Sequence, residues 1–412
     1  MFSAPYPARP DGVAMIFMLG VITAIAPLSI DLYLPALPLI EQAFAVSPML
    51  VQQSLSLFFV GLAVGQVVVG PIADRYGRRL PLTAGALLYL AASWLCASAP
   101  SIDWLLGGRL IQGLGAAAGP VIARAIVRDI YSGRRAASVM SFVILVMTMA
   151  PLIAPVFGGW LSAALGWRST FWALTLFGAL CLLMMHLSLV ETHPPSRRAT
   201  GSLASLFKSY LPIAADPLAL AYLGAGGMAF GALFAYVAGS PFVYTQVFGV
   251  PQAHFAYYFA FNVIGLIIGN FINGRLVMRF GHRPMLTAGV IVMACATTFM
   301  LTLVSMGIRE QWIITPVLFI ALATVGIIAA NTVAGLLDRH PHHAGAASAL
   351  FGLAQFGLGA LSALVIGLLT LGPLLGMSLV MCIAALLAFA STLAVHWQHQ
   401  RQLGAEAMHG EG

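Results

Sequence analysis

Read for apolar and polar positions, the chain is a series of long apolar blocks separated by short polar or Pro/Gly breaks. A membrane-spanning helix takes about 20 predominantly apolar residues. Twelve blocks meet that length: 12–38, 50–70, 79–99, 102–127, 137–163, 166–190, 217–245, 253–274, 284–306, 310–334, 345–370 and 373–396. Only helices or closed barrels satisfy their backbone in lipid, and barrel strands of about 9–11 residues are far shorter than these blocks. The pattern predicts an all-α polytopic membrane protein with twelve transmembrane helices. The one substantial polar segment, 191–216, separates a six-helix bundle at 1–190 from another at 217–396, leaving a tail at 397–412. Inside that linker, Leu203–Leu211 reads as a short interfacial helix.

The two halves are related. Gly65–Gly85 (GQVVVGPIADRYGRRLPLTAG) aligns without a gap on Gly269–Gly289 (GNFINGRLVMRFGHRPMLTAG), with nine identical positions of 21. Shared apolarity does not place glycines and arginines in register, so the chain reads as a duplicated half.

Composition agrees: 60% of residues are hydrophobic and 8% charged, against about 25% charged in soluble domains. Of 19 Lys and Arg, 16 fall on the face shared by the termini and the even-numbered helix ends. Only Arg168 and Arg309 lie in opposite-side loops, and Arg109 lies inside a block. The positive-inside rule then puts both termini in the cytoplasm. The net charge of +7 is this topological bias, spread over short loops, and does not point to nucleic acid. The first block is too long for a signal-peptide core. Cys96, Cys181, Cys295 and Cys382 sit in predicted spans at spacings of neither disulfides nor a metal site, and read as small packing residues. The loop Asp338–His343 (DRHPHH) reads as solvated rather than metal-binding, so no metal or cofactor is expected.

Polar residues inside the blocks are the candidate chemistry. Asp31 lies about seven residues, roughly 10 Å, from the predicted outer end of the first span. Either it is solvated there, or it needs a partner, a water-filled cavity or a proton; the second reading is adopted. Pro35 and Pro38 are expected to end or kink that helix. Arg109, with Gln112 one turn on, lies at a similar depth in the fourth span, so Asp31 and Arg109 share a level. Asp74, Arg75, Arg78 and Arg79 crowd the turn after the second span. The arginines alone serve topology, so Asp74 points to specific pairing, with a solvated loop as the bland reading. Pro151, Pro155, Gly158 and Gly159 give the fifth span a kink and a face of little bulk, either ordinary membrane usage or a surface for another helix to move against. Trp167 and Trp172 read as interfacial anchors of the sixth span. The second half offers Asn262, Asn270, Asn273, Asn331 and Gln355, and aromatic residues including Tyr236 and Tyr244, most of them facing lipid or neighbouring helices.

Twelve helices in two halves, with Gly70–Arg79 after the second span and its relic after the eighth, resemble the major facilitator superfamily. Within it the chain is similar to the twelve-helix drug:proton antiporters, particularly the bicyclomycin and chloramphenicol/florfenicol resistance subfamily. Arg109-Leu-Ile-Gln112-Gly113 is similar to that family's helix 4 signature, Ala150–Leu161 to its antiporter signature and Asp31-Leu-Tyr-Leu-Pro35 to the subfamily's helix 1 signature. Ala154 stands where the antiporter signature usually has glycine. The resemblance implies proton coupling through Asp31 and Arg109, and a conformational lock of Gly70, Asp74, Arg75, Gly77, Arg78, Arg79 and Asp129. In that lock Asp74 would hold the halves together and Arg78 with Asp129 would form the charge relay. Met278 replaces Asp74 in the second copy, so the lock is expected to be asymmetric. Candidate substrate contacts are Asp31, Tyr33, Gln112, Tyr236, Asn262, Asn331 and Gln355.

The resulting expectation is an alternating-access exporter of small amphipathic molecules or antibiotics, exchanged for protons, in a bacterial inner membrane. It is expected to be monomeric, with the lipid bilayer as its other partner. A proton-coupled importer or facilitator of a metabolite keeps the same fold and stays open. An intramembrane enzyme would need paired carboxylates or a His-Glu-x-x-His motif at depth, and a sensor would append a soluble domain; neither is present.

Overall fold

The computed structural model describes residues 12–198 and 207–409. Among them every regular element is helical. Twelve helices are long and apolar enough to cross a membrane: α1 (Val13–Phe44), α2 (Pro48–Tyr76), α3 (Arg79–Ala97), α4 (Ile102–Ile130), α5 (Ser138–Leu165), α6 (Arg168–Ser188), α7 (Pro217–Val247), α8 (His254–Phe280), α9 (His282–Ser305), α10 (Gln311–Arg339), α11 (Pro341–Leu368) and α12 (Pro373–Gln400). The chain divides into two compact units, Met1–Leu206 with Gly249–Ala260, and Phe207–Phe248 with Phe261–Gly412.

Several helices outrun their apolar blocks. α2 continues from Gly70 through Tyr76, so most of the GPIADRYGRR motif is helix and the turn is only Gly77 and Arg78. α1 does not end at its prolines. It breaks at Leu32–Tyr33, forms a 3-10 turn at Leu34–Ala36 and restarts as Leu37–Phe44. Pro35 and Pro38 each fall in the first turn of a new segment, where a missing N–H costs nothing. Asp31 thus lies roughly 20 Å along the chain axis from the end of α1, twice the expected separation.

The repeat is visible in how helices cross. In the first unit Gly61 and Gly65 of α2 lie against the carbonyls of Leu110 and Leu114 in α4. In the second, Gly265 and Gly269 of α8 lie against the carbonyls of Phe319 and Ala323 in α10. Within each unit, two glycines one turn apart let the backbones meet without a hydrophobic drive between helices, as packing in lipid requires. The same register sets Leu318 opposite Arg109, His282 opposite Arg78 and Asp338 opposite Asp129. The duplication therefore kept the crossing and lost the buried arginine.

Five of the seven tryptophans lie by odd-to-even turns and are exposed on the bundle surface, Trp94, Trp104, Trp160, Trp172 and Trp312, as interfacial anchors are, and exposed Trp397 lies near the opposite end of α12. Trp167 is not one of them. It is buried, packed against Phe44 and Phe171 with the Arg168 guanidinium 4.2 Å over its ring, and it closes the end of the first bundle.

The low-bulk face of α5 is used at close quarters. α5 is continuous through Pro151 and Pro155, and a Cβ on Gly158 would overlap the Leu32 carbonyl of α1, one residue after Asp31. The nearest atom to a Cβ on Gly159 is Pro35 Cβ at 3.9 Å. Gly158→Ala is therefore expected to destabilise the protein by about 1–3 kcal/mol, whereas Gly159→Ala stays within about 0.5 kcal/mol. Thermal unfolding of both variants in one detergent checks this; equal effects would contradict the contact.

Of the expected interfacial helix Leu203–Leu211, residues 203–206 lie outside the described residues. From Lys208 the chain forms a 3-10 turn and then the short helix Leu211–Ala214. Ile213 is buried with Ala219, Leu223, Leu336 and Ala347 of the second unit.

Candidate functional site

Arg109 is the largest fully buried side chain of the first unit. Its Nη1 donates to the Ser29 carbonyl at 3.1 Å and to Gln112 Oε1 at 2.6 Å. Gln112 Nε2 donates in turn to Ser93 Oγ, and Ser29 Oγ bonds the Tyr89 hydroxyl. The guanidinium carbon lies 4.2 Å over the Phe58 ring and 4.6 Å over the Tyr33 ring. Two aromatic faces in a desolvated site offer a cation roughly 2 kcal/mol or more. Among the described residues, Arg109 Nε and Nη2 have no hydrogen-bond partner. α1, α2, α3 and α4 therefore surround one cation with carbonyl, amide and ring electrons and no carboxylate.

Asp31 is buried as well, yet it does not pair with Arg109. Among the described residues no hydrogen bond or ion pair reaches its carboxylate. The two groups share a level, because Arg109 reaches the Ser29 carbonyl two residues from Asp31, but Arg109 gives its hydrogen bonds to Ser29 and Gln112 and none to Asp31. Tyr33 and Gln112, expected as substrate contacts, have their polar groups committed inside the unit: Tyr33 OH bonds Ser54 Oγ at 2.6 Å, and Gln112 serves Arg109.

The lock residues converge. Arg78 Nη1 donates to Asp74 Oδ1 at 2.7 Å, and Arg78 Nε and Nη2 straddle Asp129 at 2.8 and 3.4 Å. Burial alone would lower the Arg78 pKa; hydrogen bonds and charge from Asp129 and then Asp74 carry it above its ordinary value. Asp74 remains half exposed. Gly77 sits at φ +90°, a conformation open to glycine at little cost. Glu191, unremarked in the sequence beyond its place in the linker, accepts the backbone N–H groups of Arg78 and Arg79 at 2.9 and 3.2 Å.

In the second unit, Asn262 Nδ2 donates to the Tyr236 and Tyr244 hydroxyls at 3.0 and 3.3 Å. Tyr244 OH bonds Thr315 Oγ1 at 3.0 Å. Tyr244 lies in a π-helical turn, Val243–Val247, a deformation frequent at functional positions. Asn331 donates to Asn273 Oδ1 at 2.6 Å, and Gln355 is half-buried. The sequence offered Tyr236 and Asn262 as separate candidates; the structure joins them through Tyr244 and Thr315.

Asp216 caps the start of α7, accepting the Leu218 N–H at 3.0 Å. The same carboxylate takes Arg339 Nε at 2.7 Å and His340 Nε2 at 3.0 Å from the histidine-rich loop. Burial raises its pKa, but the hydrogen bond from Arg339, the Leu218 N–H and His340 outweigh that and hold it below the ordinary 3.8. A depressed carboxylate stabilises the fold fully above its unfolded value, and the contribution is lost as pH falls toward the folded one. The gap in thermal midpoint between wild type and Asp216→Asn is expected to be constant well above pH 3.8 and to shrink as pH falls below it toward the lower folded value. A gap independent of pH would contradict it.

A family model for the Major Facilitator Superfamily matches residues 19–363. The chain belongs to this superfamily, a family of membrane transporters, and its twelve helices are of that fold. It is 35% identical over 365 residues to an uncharacterized MFS-type transporter of Bacillus subtilis, covering 88% of this chain and 90% of that one. To a bicyclomycin resistance protein homolog of Haemophilus influenzae it is 30% identical, covering 84% and 87%. To a chloramphenicol resistance protein of Pseudomonas aeruginosa it is 31% identical, covering 90% and 87%.

Proposed function

We propose that this transporter exports small amphipathic molecules, antibiotics among them, in exchange for protons by alternating access. The observation that carries the reading is Asp31, a buried carboxylate with no partner among the described residues, at the break in α1 and beside the Gly158 contact with α5. A charge in that position needs water, a proton or a cationic ligand. Asp31 would hold the proton in one state and the substrate in the other. Arg109 leaves the carboxylate unquenched, because its own contacts are with Ser29, Gln112 and the Tyr33 and Phe58 rings. Two of the relatives are named for bicyclomycin and chloramphenicol resistance, which agrees with drug export, and the Asn262–Tyr236–Tyr244 group supplies hydroxyl and amide contacts for a substrate. The lock around Arg78 governs the conformational exchange. The protein would work as a monomer in a bacterial inner membrane, with both termini in the cytoplasm.

The test is drug susceptibility of a pump-deficient bacterium expressing the chain, with bicyclomycin, chloramphenicol, florfenicol and a lipophilic cation. The reading expects protection against at least one compound, abolished by an uncoupler. No protection against any of them, with protein present in the membrane, would overturn drug export and favour metabolite uptake.

A further inference from the structure

We infer that Glu191 and Thr192, the first residues of the 191–216 linker, are positioning residues that clamp the Arg78 cluster and tie the linker to its state. The inference rests on the reading of that cluster as a lock. α3 begins with Arg78 at its cap position and has no side-chain cap of its own. Ser, Thr, Asp or Asn is the usual choice there, but Arg78 is committed to Asp74 and Asp129. Glu191 supplies the cap from 113 residues away, accepting Arg78 N–H and, with its other oxygen, Arg79 N–H. A carboxylate at a helix N-terminus also meets the positive end of the helix dipole. Its Oε1 takes the His193 N–H as well, which fixes the chain beyond. Thr192 Oγ1 donates to Asp129 Oδ2 at 3.2 Å, on the carboxylate that straddles the Arg78 guanidinium. One dipeptide thus holds Arg78 by its backbone and Asp129 by its side chain.

The second unit shows that the turn forms without such a clamp. Gly281 adopts φ +82°, close to the +90° of Gly77. A Cβ on Gly77 would meet Glu191 Oε2 at 2.5 Å and Arg198 Nη2 at 2.7 Å, whereas one on Gly281 meets nothing within 4 Å. There His282 stands in place of Arg78, 3.8 Å from Asp338, and Met278 in place of Asp74 is exposed. Where the charge cluster is present the clamp is present, and where the cluster is reduced to His282 and Asp338 no carboxylate from elsewhere in the chain caps the turn among the described residues.

The experiment uses the full chain in lipid nanodiscs, with hydrogen exchange of the Tyr76–Leu82 segment measured in wild type, Glu191→Ala, Glu191→Gln and Thr192→Val. Transport Vmax and KM are measured in parallel in proteoliposomes, with a compound of the susceptibility panel against which the chain protects. Glu191→Ala is expected to speed exchange at the Arg78 and Arg79 amides about tenfold, with the rest of α3 and α6 unchanged. Glu191→Gln, which keeps an acceptor oxygen, is expected to restore most of that protection. Vmax should fall about fivefold in Glu191→Ala and less in Thr192→Val, with KM within about twofold, as for a residue outside the substrate site. Unchanged exchange at those two amides would overturn the clamp, as would a rise spread through α3 and α6. Faster exchange with unchanged Vmax would overturn its tie to the transport cycle. The exchange result needs no substrate, so it stands apart from any failure of the drug-export reading.

Discussion

Arg109→Ala is expected to abolish transport and to lower stability by about 3–5 kcal/mol, the range for emptying a well-packed buried site. The truncation removes the two hydrogen bonds to Ser29 and Gln112 and the cation held by the Tyr33 and Phe58 rings. It also leaves a cavity among helices that pack through glycine contacts and have little freedom to collapse. Two further variants separate charge from bulk. Arg109→Met keeps most of the volume without the buried cation, so it should fold better than the alanine variant, because it leaves the smaller cavity. It should nonetheless fail to transport. Arg109→Lys keeps the charge but loses the planar fork that lies over two rings while reaching a carbonyl and an amide, and should retain only a minor fraction of activity. Thermal midpoints and efflux rates at matched membrane levels read all three. Full transport by Arg109→Met would show that the cation serves packing alone.

Asp31→Asn has the opposite profile. The substitution preserves shape and removes a buried carboxylate that nothing among the described residues pairs, so stability should be unchanged or higher. Coupling should be lost. Each proton moving inward down 100 mV contributes about 2.3 kcal/mol, enough for a substrate gradient of roughly fifty-fold. The asparagine variant should equilibrate substrate across the membrane without accumulating a gradient, and its rate should no longer respond to external pH. A variant that still builds the wild-type gradient would remove Asp31 from the coupling step.

How much of this was legible in the sequence follows from what lipid demands. Helices crossing a bilayer must be long and apolar, so all twelve stand out as blocks, and the repeat stands out because Gly65 and Gly269 serve the same crossing. Helix ends were less legible. α2 runs to Tyr76 and α10 to Arg339, past Pro71 and Gly335, because neither such a residue nor a charge in water need stop a helix, whereas the apolar blocks were ended at those Pro/Gly breaks. Arg109 was conspicuous as a charge in an apolar run, but its partners were not. A Ser29 carbonyl and the Tyr33 and Phe58 rings look like any other parts of a span until the fold joins them. The expected link from Asp31 to Arg109 drew only on depth, and depth says nothing about which face of a helix a side chain occupies. Glu191 was the least legible, since a cap normally lies within a few residues of the helix it serves.

Substrate and protons are expected to move in opposite directions, with Asp31 as the shared site. The most direct test of this exchange is the pure protein in liposomes holding a pH-sensitive dye, with a membrane-permeant drug from the protective set applied across an imposed pH gradient. Substrate addition is expected to move protons against the direction of substrate movement in wild type and not in Asp31→Asn. Protons that travel with the substrate, or substrate transport without proton movement, would contradict it.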